Sequence, residues 1–544
     1  MEFTLDAYAA RTCPVKTYNA FSGQLAAAAD IPPRFPGSAE FTRKVLAMLT
    51  QTDSVADLRG FGPSSAEQES ACLKAMDSGV DLILGGLVPR DTGSHRGGRI
   101  PLLVRDRRGD GYYPAVVKYQ RVTEQREAGH YEYSTLADPT EHQTLSGHRF
   151  RWHWRAGTAL QLAHYWRLLQ ACERAAASGA LGGVIGTDEL IEDLPVISWI
   201  DLAEPNIQVG PETMATPLQV YEEEFAKRVA IAQRAAAGDE AVAAEMTPII
   251  TSECEPCVWR ARCVTRLDPD DLSLRISKTP LSALEIVALR QAGVVTTRQL
   301  AALDLEGFLP QYLPQVEQRP GAEERIRLAK RRSVLMQSGI ELERTTTGPI
   351  TVPGAALEVD IDLETSREDR VYLWGFWVHD TVSGAAYYRP FVAFDHLDDA
   401  SELKLARDAM SWLEALVTDT DALVYHYSDY ETVRIARLAS STHDEQLRWA
   451  QRYSQSHFVD LFKIVRANFF GTHGLGLKTV AHHGAGFAWR DEDPGGLNSM
   501  RWFEDAVGGE SDEIRDQAAG RVLEYNEDDV RATWVLRKWL REQT

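Results

Sequence analysis

Apolar and polar residues alternate along ALEVDIDLETS, residues 356–366, in the manner that predicts a β-strand. Side chains of a strand point alternately to its two faces, so Asp360, Asp362 and Glu364 share one face. Like charges this close repel one another, and a buried carboxylate without a partner is costly. The pattern therefore favours either an exposed strand face or a face that binds a divalent metal ion.

The chain after this strand predicts a domain of mixed α/β type. YLWGFWVHD and AAYYRPFVAF continue the pattern as two more strands, and KLARDAMSWLEAL has the period of an amphipathic helix. DALVYHYSD follows as a buried strand, and the chain ends in a long helix. The predicted order is therefore three strands, a helix, a strand, a helix and the final helix.

The earlier parts of the chain predict two further regions. Residues 97–122 indicate two strands joined by a turn rich in glycine and aspartate, and residues 160–172 indicate an amphipathic helix. A chain of 544 residues is too long for one core. We expect three domains: an N-terminal domain over residues 1–267, a helical connector over residues 268–345 and a C-terminal domain over residues 346–544.

Composition and charge narrow the class of protein. No apolar run reaches the ~18 residues needed to span a bilayer, and the first residues lack a basic segment followed by an apolar one. We therefore expect a cytoplasmic protein without membrane contact. The net charge of −21 argues against a general nucleic-acid coating protein, although it allows an enzyme with a local basic groove.

Four of the six cysteines suggest a metal site. Cys254, Cys257 and Cys263 follow the spacing C-x2-C-x5-C, and Cys13 is the candidate for a fourth ligand. Clustered cysteines of a cytosolic chain are more often metal ligands than disulfides. Four thiolates suit an iron–sulfur cluster or zinc. The alternative is a set of unrelated cysteines near a surface turn.

This cysteine arrangement resembles the iron–sulfur staple of RecB-family nucleases. The resemblance implies a 4Fe–4S cluster, with zinc as the alternative, and a PD-(D/E)xK nuclease fold between the cysteines. Gln161 and Tyr165 resemble the Q-x3-Y motif of that family, and Lys118 resembles its lysine. The resemblance thus assigns nucleic-acid binding to Lys118, Gln161 and Tyr165.

The same comparison indicates that this N-terminal domain has lost catalysis. Pro101 stands where the relatives have the aspartate of G-R-x-D, and Val116 stands where they have the acid of (D/E)-x-K. Two oxygen ligands for Mg²⁺ are therefore missing from these strands. We expect a RecB-type fold that binds DNA without cleaving it. In the connector, L-R-x-A-G-V-x-T resembles a helix–hairpin–helix unit, and a simple helical linker is the alternative.

The C-terminal domain carries acids at three places in the order found in DEDD exonucleases of the RNase H-like fold. Asp362 and Glu364 form a D-x-E motif on the first strand, and Glu431 follows the fourth strand, with Asp429 as its competitor. EYNEDDV matches the Y-x3-D pattern of the tyrosine subclass, in which residues four apart share one helical face.

The resemblance assigns roles to these residues. Asp362, Glu364, Glu431 and Asp529 would bind Mg²⁺ or Mn²⁺, which favour carboxylate oxygens, and Tyr525 would position the attacking water. Lys478 is a candidate for a phosphate contact, with an ordinary surface lysine as the alternative.

Nearly the whole chain resembles one family: RecB-like nucleases with an iron–sulfur domain, a connector and a DEDD exonuclease domain. The resemblance implies a 3′→5′ exonuclease on single-stranded nucleic acid, DNA rather than RNA, although nothing recognisable would read a 2′-hydroxyl group. The rival hypothesis is a non-catalytic nucleic-acid-binding scaffold with two relic nuclease domains. The chain has no recognisable Walker A sequence, which argues against a built-in helicase motor, and the motifs leave protein partners unknown.

Overall fold

Both units of the chain have the mixed α/β structure that the sequence predicts. The computed structural model describes residues 2–23, 37–60, 65–191, 194–210, 212–317, 319–395, 397–440, 442–492 and 495–544. Unit 1 contains Met1–Leu274, Ser282–Gly293 and Leu305–Glu324. Unit 2 contains Arg275–Leu281, Val294–Asp304 and Arg325–Thr544. Residues 268–345 are therefore divided between the two units.

Unit 1 is built on one large sheet with helices against it. Its strands are β1 (Val55–Asp57), β2 (Leu82–Leu87), β3 (Arg99–Arg105), β4 (Tyr112–Val117), β5 (Thr123–Thr135), β6 (Gln143–Phe150), β7 (Leu181–Ile191), β8 (Leu194–Asp201), β9 (Ile207–Gln208) and β10 (Met214–Ala215). Its helices are α1 (Pro14–Phe21), α2 (Gly37–Leu49), α3 (Ser65–Asp77), α4 (Trp152–Ala171), α5 (Pro217–Ala236), α6 (Glu240–Glu245) and α7 (Arg260–Val264).

The large sheet has eight strands in the order β1-β2-β3-β4-β7-β8-β5-β6. Strands β3 and β4 form the antiparallel hairpin predicted within residues 97–122. Helix α4 contains the predicted helix at 160–172, and its Leu162 and Leu168 are fully buried together with Val184 of β7. This packing sets the end of β4 beside α4.

The segment 268–345 is helical, as predicted. Its helices are α8 (Leu272–Arg275), α9 (Ala283–Gln291), α10 (Thr297–Ala302), α11 (Leu305–Val316) and α12 (Ala322–Gln337). Helices α9 and α10 each begin with a capping box, in which Ser282 or Thr296 accepts a hydrogen bond from the third backbone N–H of its helix.

Unit 2 contains the strand that carries Asp360, Asp362 and Glu364. Its strands are β11 (Leu342–Arg344), β12 (Leu357–Thr365), β13 (Val371–Asp380), β14 (Ala386–Val392), β15 (Ala422–His426), β16 (Phe458–Asp460) and β17 (Phe469–Gly471). Its helices are α13 (Asp399–Val417), α14 (Tyr430–Ser440), α15 (Glu445–His457), α16 (Leu461–Asn468), α17 (Leu477–His483), α18 (Gly496–Gly508) and α19 (Asp512–Glu542).

The main sheet of unit 2 has the order β14-β13-β12-β15-β16. β12 pairs antiparallel with β13 and parallel with β15, so it lies at the centre of a mixed sheet. Val359, Ile361 and Leu363 are buried on one face of β12, in a core that includes Met410 and Leu413 of α13. Asp360, Asp362 and Glu364 must therefore face the other side.

Helix α19 covers that second face. It begins after Ser511, whose side chain accepts a hydrogen bond from the backbone N–H of Ile514, and acidic residues fill its first turn. Tyr525, Asp529 and Leu536 recur at helical spacing among its buried residues. In the part of the chain that the structure describes, no helix combines the length and apolarity needed to cross a bilayer.

Candidate active site

Three carboxylates converge between β12 and α19. Asp362 and Glu364 of β12 and Asp529 of α19 each contribute an oxygen, and these oxygens lie within 4.8 Å of one another. Glu364 and Asp529 are buried, whereas Asp362 is partly exposed. The alternation of the strand places the first two on one face, and the packing of α19 supplies the third. These residues form a compact group that solvent reaches through Asp362.

A hydrogen-bond chain holds Asp362 in place. The buried Asn526 donates from Nδ2 to Asp362 Oδ2 over 2.8 Å, and its Oδ1 accepts a hydrogen bond from Tyr388 OH over 2.8 Å. Asn526 reaches the strand because Gly375, paired with Asp362 in the sheet, has no side chain. A Cβ at Gly375 would lie 1.6 Å from Asn526 Oδ1. This contact leaves Asp362 Oδ1 available as a ligand.

The other two acids are held in a similar way. Ser499 of α18 donates to Glu364 Oε2 over 2.8 Å and shares a 2.7 Å hydrogen bond with Tyr372. Trp489 donates from Nε1 to Asp529 Oδ1 over 2.6 Å. Each of the three acids therefore receives at least one hydrogen bond from a neutral side chain. These partners orient the carboxylates without neutralising them.

The electrostatics of the group favour a bound cation. Desolvation raises the pKa of Glu364 to about 8, with Asp529 as the next cause. Desolvation also raises the pKa of Asp362, and Asp529 and Glu364 add to this shift. The pKa of Asp529 is raised as well, mainly by burial. Several hard oxygen ligands with excess negative charge suit Mg²⁺ or Mn²⁺, so the donor set fits the predicted metal.

Tyr525 lies beside the acids and contacts a lysine. Lys478 donates from Nζ to Tyr525 OH over 2.7 Å, and its Nζ lies 3.8 Å from Asp529 Oδ2. Burial raises the pKa of Tyr525, and the nearby Asp529 raises it further, so the phenol stays protonated. Lys478 is half-buried and is directed into the site, which the alternative of an ordinary surface lysine did not anticipate.

Glu431 lies near the three acids without joining their group. It sits in the first turn of α14, is 3% exposed, and its Oε2 lies 3.5 Å from Nδ1 of His426. That oxygen has no hydrogen-bond partner among the described residues. Burial raises the pKa of Glu431. Its competitor Asp429 is exposed, so Glu431 is the acid at this position that faces the interior.

Asp360 belongs to a different part of unit 2. Arg537 of α19 is fully buried, donates from Nη2 to Asp360 Oδ2 over 2.7 Å, and also pairs with Glu358. Arg537 therefore neutralises the charge of Asp360, the first of the three carboxylates on this face of β12. Only the second and third carboxylates are left for the candidate metal centre.

The residues predicted to bind nucleic acid in unit 1 also come together. Lys118 follows β4 and donates from Nζ to Gln161 Oε1 over 2.7 Å. Gln161 in turn donates from Nε2 to Tyr165 OH over 3.1 Å. Val116 is buried in the core of unit 1, and Pro101 is exposed. Among the described residues of unit 1, no three metal-ligating side chains gather within 4.8 Å.

The four cysteines of the predicted cluster line one small pocket in unit 1. Cys13 at the start of α1 shares this pocket with Cys254, Cys257 and Cys263. No three of the described cysteine sulfurs lie within 4.8 Å of one another. Thiolates on a single zinc ion lie about 4 Å apart, since Zn–S bonds are about 2.3 Å long. As folded here, the thiols therefore do not form a zinc cage.

Sequence reasoning missed several residues around the acids, among them Gly375, Trp489, Ser499 and Asn526. Each either contacts an acid from another element of the fold or, as Gly375 does, leaves room for such a contact. No local sequence pattern marks contacts of this kind. Asn526 had the nearest signal, because it lies inside the EYNEDDV motif between the two residues that were recognised.

Comparison with known proteins supports the assignment of the C-terminal domain. Residues 359–541 match the family model of the RNase_H superfamily. No curated protein and no solved structure matches the chain. The matched residues include the whole acidic group and the mixed sheet that carries it. Residues 359–541 therefore form an RNase H-like domain, with a candidate acidic metal site between its central strand and its last helix.

Proposed function

We propose that the C-terminal domain is a metal-dependent nuclease that hydrolyses phosphodiester bonds. The observation that carries this proposal is the convergence of Asp362, Glu364 and Asp529 in an RNase H-like domain. These three acids, with Glu431 as a fourth, would hold Mg²⁺ or Mn²⁺. Metal ions held there would supply the chemistry of water activation and of charge stabilisation at the leaving oxygen.

The side chains around the acids have separate tasks in this proposal. Asn526 and Ser499 fix the orientation of the β12 carboxylates, so that their free oxygens point into the centre. Tyr525 accepts a hydrogen bond from Lys478 and keeps its own proton. It therefore acts as a neutral donor that orients water or a phosphate oxygen, rather than as a base.

We further propose 3′→5′ exonuclease activity on single-stranded DNA. The support is the pairing of the acids with Tyr525 on one face of α19, which matches the tyrosine subclass of DEDD exonucleases. In this arrangement residues 1–267 are a RecB-type domain that binds DNA, and residues 346–544 are the domain that cleaves it. Residues 268–345 connect these two domains. Strands β3 and β4 carry no carboxylate, which fits a domain that does not cleave.

The test uses 5′-labelled single-stranded DNA and a matching RNA with Mn²⁺ or Mg²⁺. We expect a ladder of products shortened from the 3′ end, lost in Asp362→Asn and Asp529→Asn. Asp505→Asn, an exposed acid of α18, is the matched control and should retain activity. Cleavage that survives both substitutions would contradict the proposed site. DNA binding without cleavage by any form would favour the scaffold hypothesis.

For the cysteines we propose a 4Fe–4S cluster, with zinc as the alternative. The support is that Cys13 shares a pocket with three cysteines more than 200 residues away in the sequence, and four thiolates suit either group. Anaerobic purification with iron, sulfide and zinc analysis tests this. Cys13→Ser should lose the iron, whereas Cys172→Ser, outside the pocket, should retain it.

A further inference from the structure

Two cations in unit 1 converge on the same oxygen atom. Lys118 Nζ lies 2.7 Å from Gln161 Oε1, and Arg11 Nη1 lies 3.1 Å from that oxygen. Arg11 ends the short 3-10 helix Ala9–Arg11, and Lys118 follows β4, so 107 residues separate them in sequence. An amide oxygen carries no formal charge and cannot neutralise either cation.

Neither cation has an acidic partner among the described residues. The carboxylates described in unit 1 lie more than 4.0 Å from the side-chain nitrogens of Arg11 and Lys118. Asp6 is close in sequence, but its Oδ1 accepts the backbone N–H of Tyr8 over 2.8 Å. Burial lowers the pKa of Lys118 to about 8, and Arg11 contributes to the shift. Lys118 is half-buried, and a partly desolvated cation without a counter-charge is costly, so a bound anion would supply the missing charge.

Two buried side chains hold Arg11 and Lys118 together. Gln161 is 1% exposed and Tyr165 is 4% exposed, and the hydrogen bond between them fixes the amide that both cations contact. Strands β3 and β4 provide no carboxylate that could bind a metal ion here. The group therefore offers two positive charges that share one amide oxygen, without carboxylate ligands for a cation from these two strands.

An exposed aromatic ring lies beside the two charges. Arg11 and Lys118 lie 5.3 Å and 5.8 Å from the ring centroid of Tyr8, which is 44% exposed. Guanidinium and ammonium groups are the usual partners of phosphate. Proteins that bind single strands combine such charges with aromatic rings on which bases stack.

We propose that Arg11 and Lys118 form a metal-independent binding site for a backbone phosphate of a nucleic-acid single strand, with Tyr8 as the platform for an adjacent base. Gln161 and Tyr165 position the two cations from the interior. This inference deepens the proposed function and rests on its assignment of nucleic-acid binding to residues 1–267.

The test measures binding of a fluorescently labelled single-stranded DNA to the full chain in EDTA, by anisotropy at several salt concentrations. Lys118→Met and Arg11→Gln should each weaken binding by about tenfold and reduce the salt slope by about one. Lys227→Met and Arg174→Gln are matched controls, since both residues are in unit 1 and are paired with acids. They should bind like the unaltered protein. Unchanged affinity and salt slope in both test variants would overturn the inference.

A second measurement, the melting temperature with and without inorganic phosphate, checks that the variants are folded and whether the site binds free phosphate. Inorganic phosphate should raise the melting temperature of the unaltered protein and of both controls, and this shift should be absent in Lys118→Met. If the phosphate shift depends on Lys118 but DNA affinity does not, the site binds free phosphate and the strand assignment is wrong.

The nuclease assay separates this inference from the proposed function. Normal metal-free binding by both test variants, with cleavage abolished only in Asp529→Asn, would overturn the inference and leave the nuclease intact. Loss of metal-free binding in the variants, with no cleavage by any form, would support the inference and contradict the nuclease.

Discussion

Asn526 of α19 packs directly against Gly375 of β13, the residue that pairs with the catalytic candidate Asp362. Gly375 lies opposite Asp362 in the sheet, and the amide of Asn526 fills the space that a side chain at Gly375 would take. The hydrogen bond from Asn526 to Asp362 therefore depends on a glycine in another strand. Gly375 lies outside the motifs that mark the site in the sequence, and Asn526 lies inside EYNEDDV between the two residues that were recognised.

Replacing Gly375 with alanine should weaken metal binding. The added Cβ would lie 1.6 Å from Asn526 Oδ1, so the amide must move away from Asp362. Loss of a residue that orients a ligand lowers metal affinity by about 10- to 100-fold. Calorimetric titration with Mn²⁺ measures the change. Gly520→Ala, where a Cβ meets nothing within 4 Å, should bind Mn²⁺ normally, and equal affinity in both variants would contradict the role of Asn526.

Glu431 and Asp429 should respond differently to loss of charge. Glu431 is buried and its Oε2 has no hydrogen-bond partner in the described part of the chain, whereas Asp429 is exposed. We expect Glu431→Gln to lower kcat by about 10- to 100-fold, the usual effect of losing a residue that binds the metal or orients one of its ligands. Asp429→Asn should leave kcat unchanged. Steady-state cleavage of labelled DNA compares them. The reverse order would make Asp429 the acid of the second position.

Removing Arg537 should destabilise unit 2 strongly. This fully buried guanidinium pairs with Asp360 and Glu358, and its loss leaves the buried Asp360 without its ion-pair partner, while Glu358 keeps Arg541. Breaking a buried ion pair on one side costs about 3–5 kcal/mol. Denaturant unfolding of Arg537→Met measures the free energy. Lys538→Met, next along α19 and exposed, should stay within about 0.5 kcal/mol of the unaltered protein.

The stability of unit 1 should fall in mild acid because of His164. Burial lowers the pKa of His164 to about 4, while its Nδ1 and Nε2 contact Tyr221 OH and Gly97 O. In the unfolded chain the histidine has its ordinary pKa of about 6.5, so on acidification it is protonated there before it is protonated in the folded state. Protonation stabilises the unfolded state, and the free energy of unfolding therefore falls between about pH 6.5 and 4.

This drop amounts to about 3 kcal/mol for a shift of that size. The unfolding free energy of His164→Gln, compared with the unaltered protein from pH 7 to pH 4, isolates it. We expect the variant to be less stable at pH 7 and to lose less stability on acidification. Parallel curves for the two proteins would show that His164 does not titrate in this way.

The sequence by itself determined the relationships that depend on local geometry. A strand repeats every two residues and a helix every 3.6, so the pairing of Asp362 with Glu364, and of Tyr525 with Asp529, followed from spacing alone. The same periodicities predicted the mixed α/β character of the chain and the helices of residues 268–345.

Tertiary structure decided which of these residues share a site. Asp360, Asp362 and Glu364 are equivalent in the alternating pattern, yet α19 sets Arg537 against the first and Asn526 and Asp529 against the other two. Arg11 and Lys118 meet only because α4 brings Gln161 to the end of β4. Such contacts depend on how distant elements pack, and the free energy of packing is set by the whole core rather than by any local stretch of sequence.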